Sequence, residues 1–344
     1  MSERRIYLDE GIGESRGVVT LDGAPERLLI RRAGDDPRLR LGARLVAVVA
    51  SVEPALNTAF LDLGEGAEAI LQFKPDSRPV RGEVIEVEIR SEPRRGKLPI
   101  ARLLGPSEGR PRLLAEAPSL AEFLQGLARD AELITGRAAR EAADEAEALE
   151  MLHPLPGGGT LAIEPTRALT AIDVDLGERK GADAKRVTRA ANLAAIQLAA
   201  RLLRLKSLGG IVVIDLVGRG HDAKALLAAA RTAFAADNPG VAVEPIGRFG
   251  TLELSLPRRT RPLGEILCRE DGGLSDRSLA QRLIRRLQAE AEAQPGARLV
   301  ARCAPQVAAA ARPLAAKLTE RIGARFTLEP DPARARESFD VAAS

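Results

Sequence analysis

The sequence predicts a multi-domain protein of the α/β and β class: an OB-type β-barrel, an α/β domain carrying the chemistry, and a small carboxyl-terminal α/β domain. Three observations predict it. The chain has 344 residues, more than one small core absorbs. Five short apolar runs crowd into 38–105, with Gly or Pro near most breaks, as in a small closed barrel. Within 151–262, an apolar strand, a long amphipathic helix and a second apolar strand form a βαβ unit, whose strands should be parallel. The expected segments are 1–37 (amino-terminal strands), 38–105 (barrel), 106–150 (helical connector), 151–262 (α/β domain) and 263–344 (small domain).

In chain order, "RIYLDEG" and "GVVTLDG" read as two short strands around a turn, followed by "RLLIRR". The barrel runs are "ARLVAVVASV", "TAFLDLG", "AEAILQF", "GEVIEVEIR" and "KLPIARLL". Residues 106–150 are rich in Ala and Glu and read as packing or spacer helices. Ser119 followed by Glu122 is a capping-box start, and "GRAAREAADEAEALEML" is a second, charged helix. Next come a hairpin of "TLAIE" and "ALTAIDV" turned at Pro165, the loop "DLGERKGAD", and a helix from about 184 to 206 with Leu193, Ile196, Ala200 and Leu203 on one face. "GIVVIDLV" is apolar throughout, as for a strand buried in a sheet. A helix at 222–236 and the strand "VAVEPIGRFG" continue the alternation. The small domain reads as the helix "RSLAQRLIRRLQAEAEA", the strand "ARLVARCA", a helix after Pro305 and the strand "ARFTLEP".

Composition narrows the chemistry. The 51 Lys+Arg barely exceed the 48 Asp+Glu, so the net charge of +3 says little about nucleic acid. Clustering says more, because a local field steers a polyanion better than net charge does. Basic runs lie at 92–97, 201–206 and 256–262, and each reads equally as a solvated face. The amino terminus has no apolar stretch and no segment approaches the ~20 apolar residues of a membrane span, so a cytoplasmic protein without a membrane partner is expected. Cys268, Cys303, His153 and His221 are the whole soft-ligand inventory, which excludes a Cys₄ zinc site and argues against a disulfide scaffold.

The sharpest signal is "TAIDVD" with "VVIDLV". Asp173 and Asp215 each stand near the carboxyl end of an apolar strand, where open α/β sheets place their sites. Adjacent strands would bring the two carboxylates within ~4.8 Å of each other in backbone spacing, and two such charges repel unless a cation lies between them. A hard oxygen pair suits Mg²⁺ or Mn²⁺. A divalent ion there would lower the pKa of a bound water and offset charge growing at phosphorus. The competing reading is that each Asp merely caps a following helix or turn.

Residues 155–262 resemble the ribonuclease E/G family of bacterial endoribonucleases. "LPGGGTLAIEPTRALTAIDVD" looks like the family's hairpin with its first metal-binding aspartate, "ANLAAIQLAARLLRLKSLGGIVVIDL" like its helix and second metal strand, and "GRFGTLELSLPRR" like its next strand and basic turn. Weaker similarity covers the amino terminus, the barrel and the small carboxyl-terminal domain. The resemblance implies a DNase I-like nuclease domain beside an RNA-binding barrel. It makes Asp173 and Asp215 catalytic Mg²⁺ ligands, and implies hydrolysis of single-stranded RNA to 5′-phosphate and 3′-hydroxyl ends. The family usually has Asn two residues after the first metal aspartate; here Asp175 stands there, a third carboxylate that either joins the metal ligands or merely raises the local negative charge. Of the family's zinc-linking cysteine pair only Cys268 remains, so neither zinc nor a zinc-linked dimer is expected. A homo-oligomer through the catalytic or small domain stays open. The family's Arg-Thr pair that senses a 5′-monophosphate aligns with Gly136 and Arg137, which implies that this sensing is lost or rebuilt.

The same resemblance places Phe60 on RNA, with Ile70 where a second aromatic is usual, and sets Arg95, with Lys97 nearby, at the RNA backbone. Phe60 equally suits a barrel core. Arg179, Lys180 and Arg248 are candidates for phosphate contact, against plain surface solubility. Glu253 reads as structural, His221 as a turn or helix start rather than a proton shuttle, and "GGG" at 157–159 does not fit a nucleotide loop. The runner-up to an endoribonuclease is an RNA-binding protein of the same fold without catalysis.

Overall fold

The computed structural model describes residues 3–147, 150–179, 183–218 and 222–343. The chain opens as an antiparallel meander of β1 (Arg4–Glu10), β2 (Glu14–Leu21) and β3 (Ala24–Arg32). Val18 and Val19 are neighbours in β2 yet belong to different hydrophobic cores. Successive strand side chains point to opposite faces, so this sheet is covered on both sides.

The barrel follows: β4 (Arg44–Glu53), β5 (Thr58–Gly64), β6 (Ala67–Gln72), β7 (Val84–Ser91) and β8 (Ile100–Pro106). The strands run β5–β6–β8–β7–β4, and β4 pairs back onto β5 to close the ring. β4 serves both neighbours because a register shift between Val49 and Ser51 bends it; its first half meets β7 and its second half β5. Small inward residues (Ala47, Ala59, Ala69) interleave with Leu45, Leu61, Leu71 and Val87 to fill the interior.

The connector departs from the helical expectation. It holds β9 (Arg112–Ala115) on the flank of β4, α1 (Leu120–Leu127), β10 (Leu133–Thr135) and α2 (Arg137–Ala146). The capping box is present: Ser119 Oγ accepts the Glu122 N–H at 3.2 Å, and the Glu122 carboxylate accepts the Ser119 N–H at 2.7 Å. β10 pairs parallel with β1, while Leu120 and Leu124 of α1 cover Ile6 and Leu8. An open sheet edge recruited "LIT" as a strand, which local composition does not reveal.

The sheet that carries Asp173 and Asp215 contains β11 (Leu152–Pro154), β12 (Thr160–Pro165), β13 (Thr170–Asp175), β14 (Gly210–Asp215), β15 (Ala242–Val243) and β16 (Thr251–Leu256), in the order β11-β12-β13-β14-β16-β15. α3 (Ala184–Leu205) crosses between β13 and β14, and those two strands are parallel as the βαβ pattern requires. α4 (Ala223–Ala233) follows β14. Two expectations are corrected. "VAVEPIGRFG" is a strand only at 242–243, because a turn over 247–250, with Gly250 at φ +89°, reverses the chain into antiparallel β16. β14 is buried on one face only: Val212 and Ile214 pack beneath α3, whereas Ile211 is 53% exposed. The sheet therefore has an open face.

The small domain comprises α5 (Leu263–Leu267), α6 (Asp276–Ala293), β17 (Leu299–Cys303), α7 (Pro305–Ile322), β18 (Phe326–Pro330) and β19 (Phe339–Ala343). β19, unforeseen in the sequence, completes the sheet β18–β17–β19. One core runs from Val18 and Leu28 through Ile163 and Ile214 to Leu283 and Leu299, so three of the segments share an interior. A buried ionic lattice adds to the junction. Arg16, 1% exposed, bonds Asp9 and Asp144 at 2.6 Å and Glu147 at 2.8 Å. Arg285 joins Glu147 to Glu14, and Arg32 ties Glu14 to Ser278. Burial alone would depress the Arg16 guanidinium, but Glu147, Asp144 and Asp9 hold it above its ordinary range. Burial would raise the Glu147 carboxyl, yet Arg285, Arg16 and Arg282 hold it below the usual carboxylate range. Among the described residues no helix is long and apolar enough to cross a membrane.

Candidate functional site

A single row of paired residues crosses the open face of the sheet: Leu152, Ala162, Asp173, Asp215 and Thr251. Asp173 and Asp215 are direct partners on the parallel strands β13 and β14, whose backbones lie ~4.8 Å apart. Both carboxylates are exposed on the face opposite α3, and among the described residues neither has a hydrogen bond or ion pair. Two unneutralised like charges in register make a cation-attracting point.

Three features fix the ends of these strands. Asn192 of α3, 1% exposed, clasps the backbone of Val217, donating from Nδ2 to its carbonyl at 3.0 Å and accepting its N–H at 3.1 Å. That holds the chain two residues past Asp215. Gly159, at φ +81°, leaves no space for a side chain, since a Cβ would sit 2.1 Å from the Asp175 carbonyl oxygen. Its backbone is thereby pressed onto the end of β13. Asp183 caps α3, accepting the N–H groups of Lys185 at 3.0 Å and Arg186 at 3.3 Å.

The remaining expected site residues divide. Asp175 lies two residues beyond Asp173 on the same face, but its Oδ1 accepts the Gly177 N–H at 2.7 Å. Among the described residues no three His, Cys, Asp or Glu side chains gather as a metal-ligand set. Arg179 is spent on the loop beside it: its guanidinium donates to the carbonyls of Gly158 at 2.6 Å and Pro156 at 2.5 Å. The "GGG" segment is thus a turn stapled by Arg179. Lys180 and His221 lie outside the described residues. Arg248 sits at the tip of the 247–250 turn, with its guanidinium carbon 4.8 Å from the centre of the Phe249 ring. Glu253 accepts a hydrogen bond from the Thr251 hydroxyl at 3.2 Å.

On the barrel, Phe60 lies outside the closed core and points outward, paired with Ile70, which in turn neighbours Ile100. A cleft of about 640 Å³ opens nearby, lined by Phe73, Lys74, Arg90, Ile100 and Arg102 among others. Arg95 faces the other way. Its backbone N–H donates to Glu265 at 2.6 Å and its guanidinium to the Cys268 carbonyl at 3.5 Å, which docks the barrel on α5. Lys97, across the same tight turn from Arg94, is exposed. Arg137 is exposed and pairs with Glu141 at 2.7 Å.

The basic runs are largely consumed inside the molecule. Arg201 donates to the Pro25 carbonyl at 2.8 Å, and Arg204 pairs with Asp237 at 2.9 Å and Glu26 at 3.1 Å. Arg258 donates to the Gly209 carbonyl at 3.1 Å and Arg259 to that of Pro239 at 3.0 Å. Sequence reasoning missed Asn192; the available signal was one amide among the buried Ala and Ile residues of α3.

Comparison with known proteins agrees with the strand–helix–strand core. Residues 118–259 match the Ribonuclease E/G family. Ribonuclease E of Haemophilus influenzae is 35% identical over 147 residues, covering 40% of this chain and 16% of that protein. Ribonuclease E of Escherichia coli (strain K12) is 35% identical over 147 residues, covering 40% of this chain and 14% of the relative. Ribonuclease E of a Synechocystis species is 33% identical over 134 residues, covering 37% and 20% respectively. The match therefore spans between 14% and 20% of the length of these relatives.

Proposed function

Because this chain belongs to the ribonuclease E/G family through residues 118–259, we propose that it is an endoribonuclease that hydrolyses single-stranded RNA with Asp173 and Asp215. The observation that carries the reading is the register: the two aspartates are direct partners on parallel strands, exposed on an open face and, among the described residues, without an ion pair. A pair of hard oxygen donors with room for waters and a phosphate fits Mg²⁺ or Mn²⁺. When bound, such an ion supplies an activated water and offsets charge at the phosphodiester.

The chain's own residues do the rest. Asp173 and Asp215 would hold the ion, Asn192 holds the β14 exit, and the Gly159 turn holds the β13 exit. The open face admits a strand of RNA. Phe60 and the cleft beside Arg90 and Arg102 offer a second hold on the same polymer from the barrel. In this reading the products carry 5′-phosphate and 3′-hydroxyl ends.

The test is incubation of a labelled single-stranded RNA with Mg²⁺ or with EDTA. Cleavage should need the ion and fall at least about 100-fold in Asp173→Asn and in Asp215→Asn, with unchanged circular dichroism. Cleavage persisting in the doubly substituted protein would sink the assignment. Intact RNA binding without any cleavage by the parent would favour the non-catalytic alternative.

A further inference from the structure

We infer that Phe249, with Arg248 against its ring, is a stacking platform for a nucleobase of the RNA next to the cleaved bond. This rests on the endoribonuclease reading above and adds a contact that the carboxylate pair does not provide.

The chain is poor in aromatics, with seven Phe, one Tyr and no Trp in 344 residues. Phe234, by contrast, is fully buried, whereas Phe249 is 79% exposed, the highest value among the exposed large apolar side chains of the described residues. Leaving such a ring in water gains nothing for the fold. Its position is specific. The turn over 247–250 is closed by Gly250 N–H to the Gly247 carbonyl at 3.0 Å, and is joined to β14 by Leu216 N–H to the Gly250 carbonyl at 3.3 Å. Thr251 is the direct strand partner of Asp215. Two residues of chain then separate Phe249 from that row, which puts its backbone within about 12 Å of Asp215.

Arg248 lies 4.8 Å from the ring centre, within cation–π range, and holds one side of the ring. The cation also suits a neighbouring phosphate. A ring backed by a guanidinium beside a phosphodiester-cutting pair matches how single strands are held without sequence readout: a base on the π-face, a phosphate on the cation. Glycines at 247 and 250 keep neighbouring side chains away from the platform.

The experiment has two arms. In the first, cleavage of a single-stranded oligoribonucleotide is measured for Phe249→Ala, Phe249→Leu and Phe249→Tyr. Because the ring is exposed, melting temperatures should not move. kcat/KM should drop about tenfold for Ala and Leu and recover for Tyr. In the second, 2-aminopurine replaces one base at successive positions of the oligonucleotide, bound to the Asp173→Asn, Asp215→Asn protein. Fluorescence should be quenched most at a position close to the cleavage site, and Phe249→Ala should abolish that maximum. If the parent cuts RNA and the Ala and Leu variants cut equally well, the platform is wrong and the nuclease reading stands. If the parent neither binds nor cuts RNA, both fall. A dimer that Phe249→Ala dissociates, with cleavage unchanged, would make the ring a contact between copies and overturn the proposal.

Discussion

Single residues carry much of the site's precision. Asn192 satisfies both backbone groups of Val217 from inside the helix layer. Asn192→Leu keeps the volume roughly but strands those groups, which costs about 1–3 kcal/mol. The expected outcome is a urea midpoint shifted accordingly and slower cleavage, with the KM for RNA little changed, because the exit of β14 loses its fixed course. Equal stability and rate in the variant would show that the clasp is incidental. The aspartate pair was readable from the sequence because each ends an apolar strand, and strand ends of a βαβ unit fall side by side. Asn192 was not readable in this way. An amide on a helix announces no partner until the loop it meets is placed. Arg179 and Arg95 show what else sequence does not reveal: both guanidiniums also donate to backbone carbonyls offered by neighbouring turns.

Among elements, the ionic lattice under the amino-terminal sheet is the most exposed to perturbation. Arg16 of β2 faces Asp9, Asp144 and Glu147, from β1, α2 and the residue following α2. Arg16→Met removes the cation and leaves the buried Asp9 without its ion-pair partner, while Glu147 keeps Arg285 and Arg282, a loss of about 3–5 kcal/mol measurable by denaturant unfolding. The pH dependence follows from Glu147. Its carboxyl is held below the usual range in the folded protein, so its contribution is full above the unfolded carboxylate pKa and is lost as pH falls through the lower folded value. Acid should therefore weaken the parent more than Arg16→Met, and parallel acid curves would contradict this. The strands of the barrel were legible because alternation and Gly/Pro breaks are local. β10 and β19 were not, since each is a short strand added to an edge built elsewhere in the chain. The mistaken extent of "VAVEPIGRFG" has the same origin: pattern alone does not say where a glycine turn reverses direction.

For the molecule as a whole, the proposed function requires the barrel and the sheet that carries Asp173 and Asp215 to be held in one register. Glu92 is the pin. Its N–H donates to the Arg259 carbonyl at 2.7 Å, while its carboxylate accepts the N–H groups of Arg261 at 3.0 Å and Leu41 at 3.3 Å. Glu92→Ala should loosen the barrel from the sheet that carries Asp173 and Asp215. A long RNA touching both surfaces then loses effective concentration, and its KM should rise several-fold, while a short oligonucleotide touching only the sheet is unaffected. Equal changes for both lengths would argue against bipartite binding. The barrel is also inserted in a particular way. The chain leaves the amino-terminal sheet after β3 and returns at α1 to the same sheet, and the two crossings touch, with the Arg31 guanidinium donating to the Pro118 carbonyl at 2.6 Å. Departure and return share one doorway. Everything between them is an appendage on a closed frame, replaceable by another module of similar footprint without rethreading the scaffold.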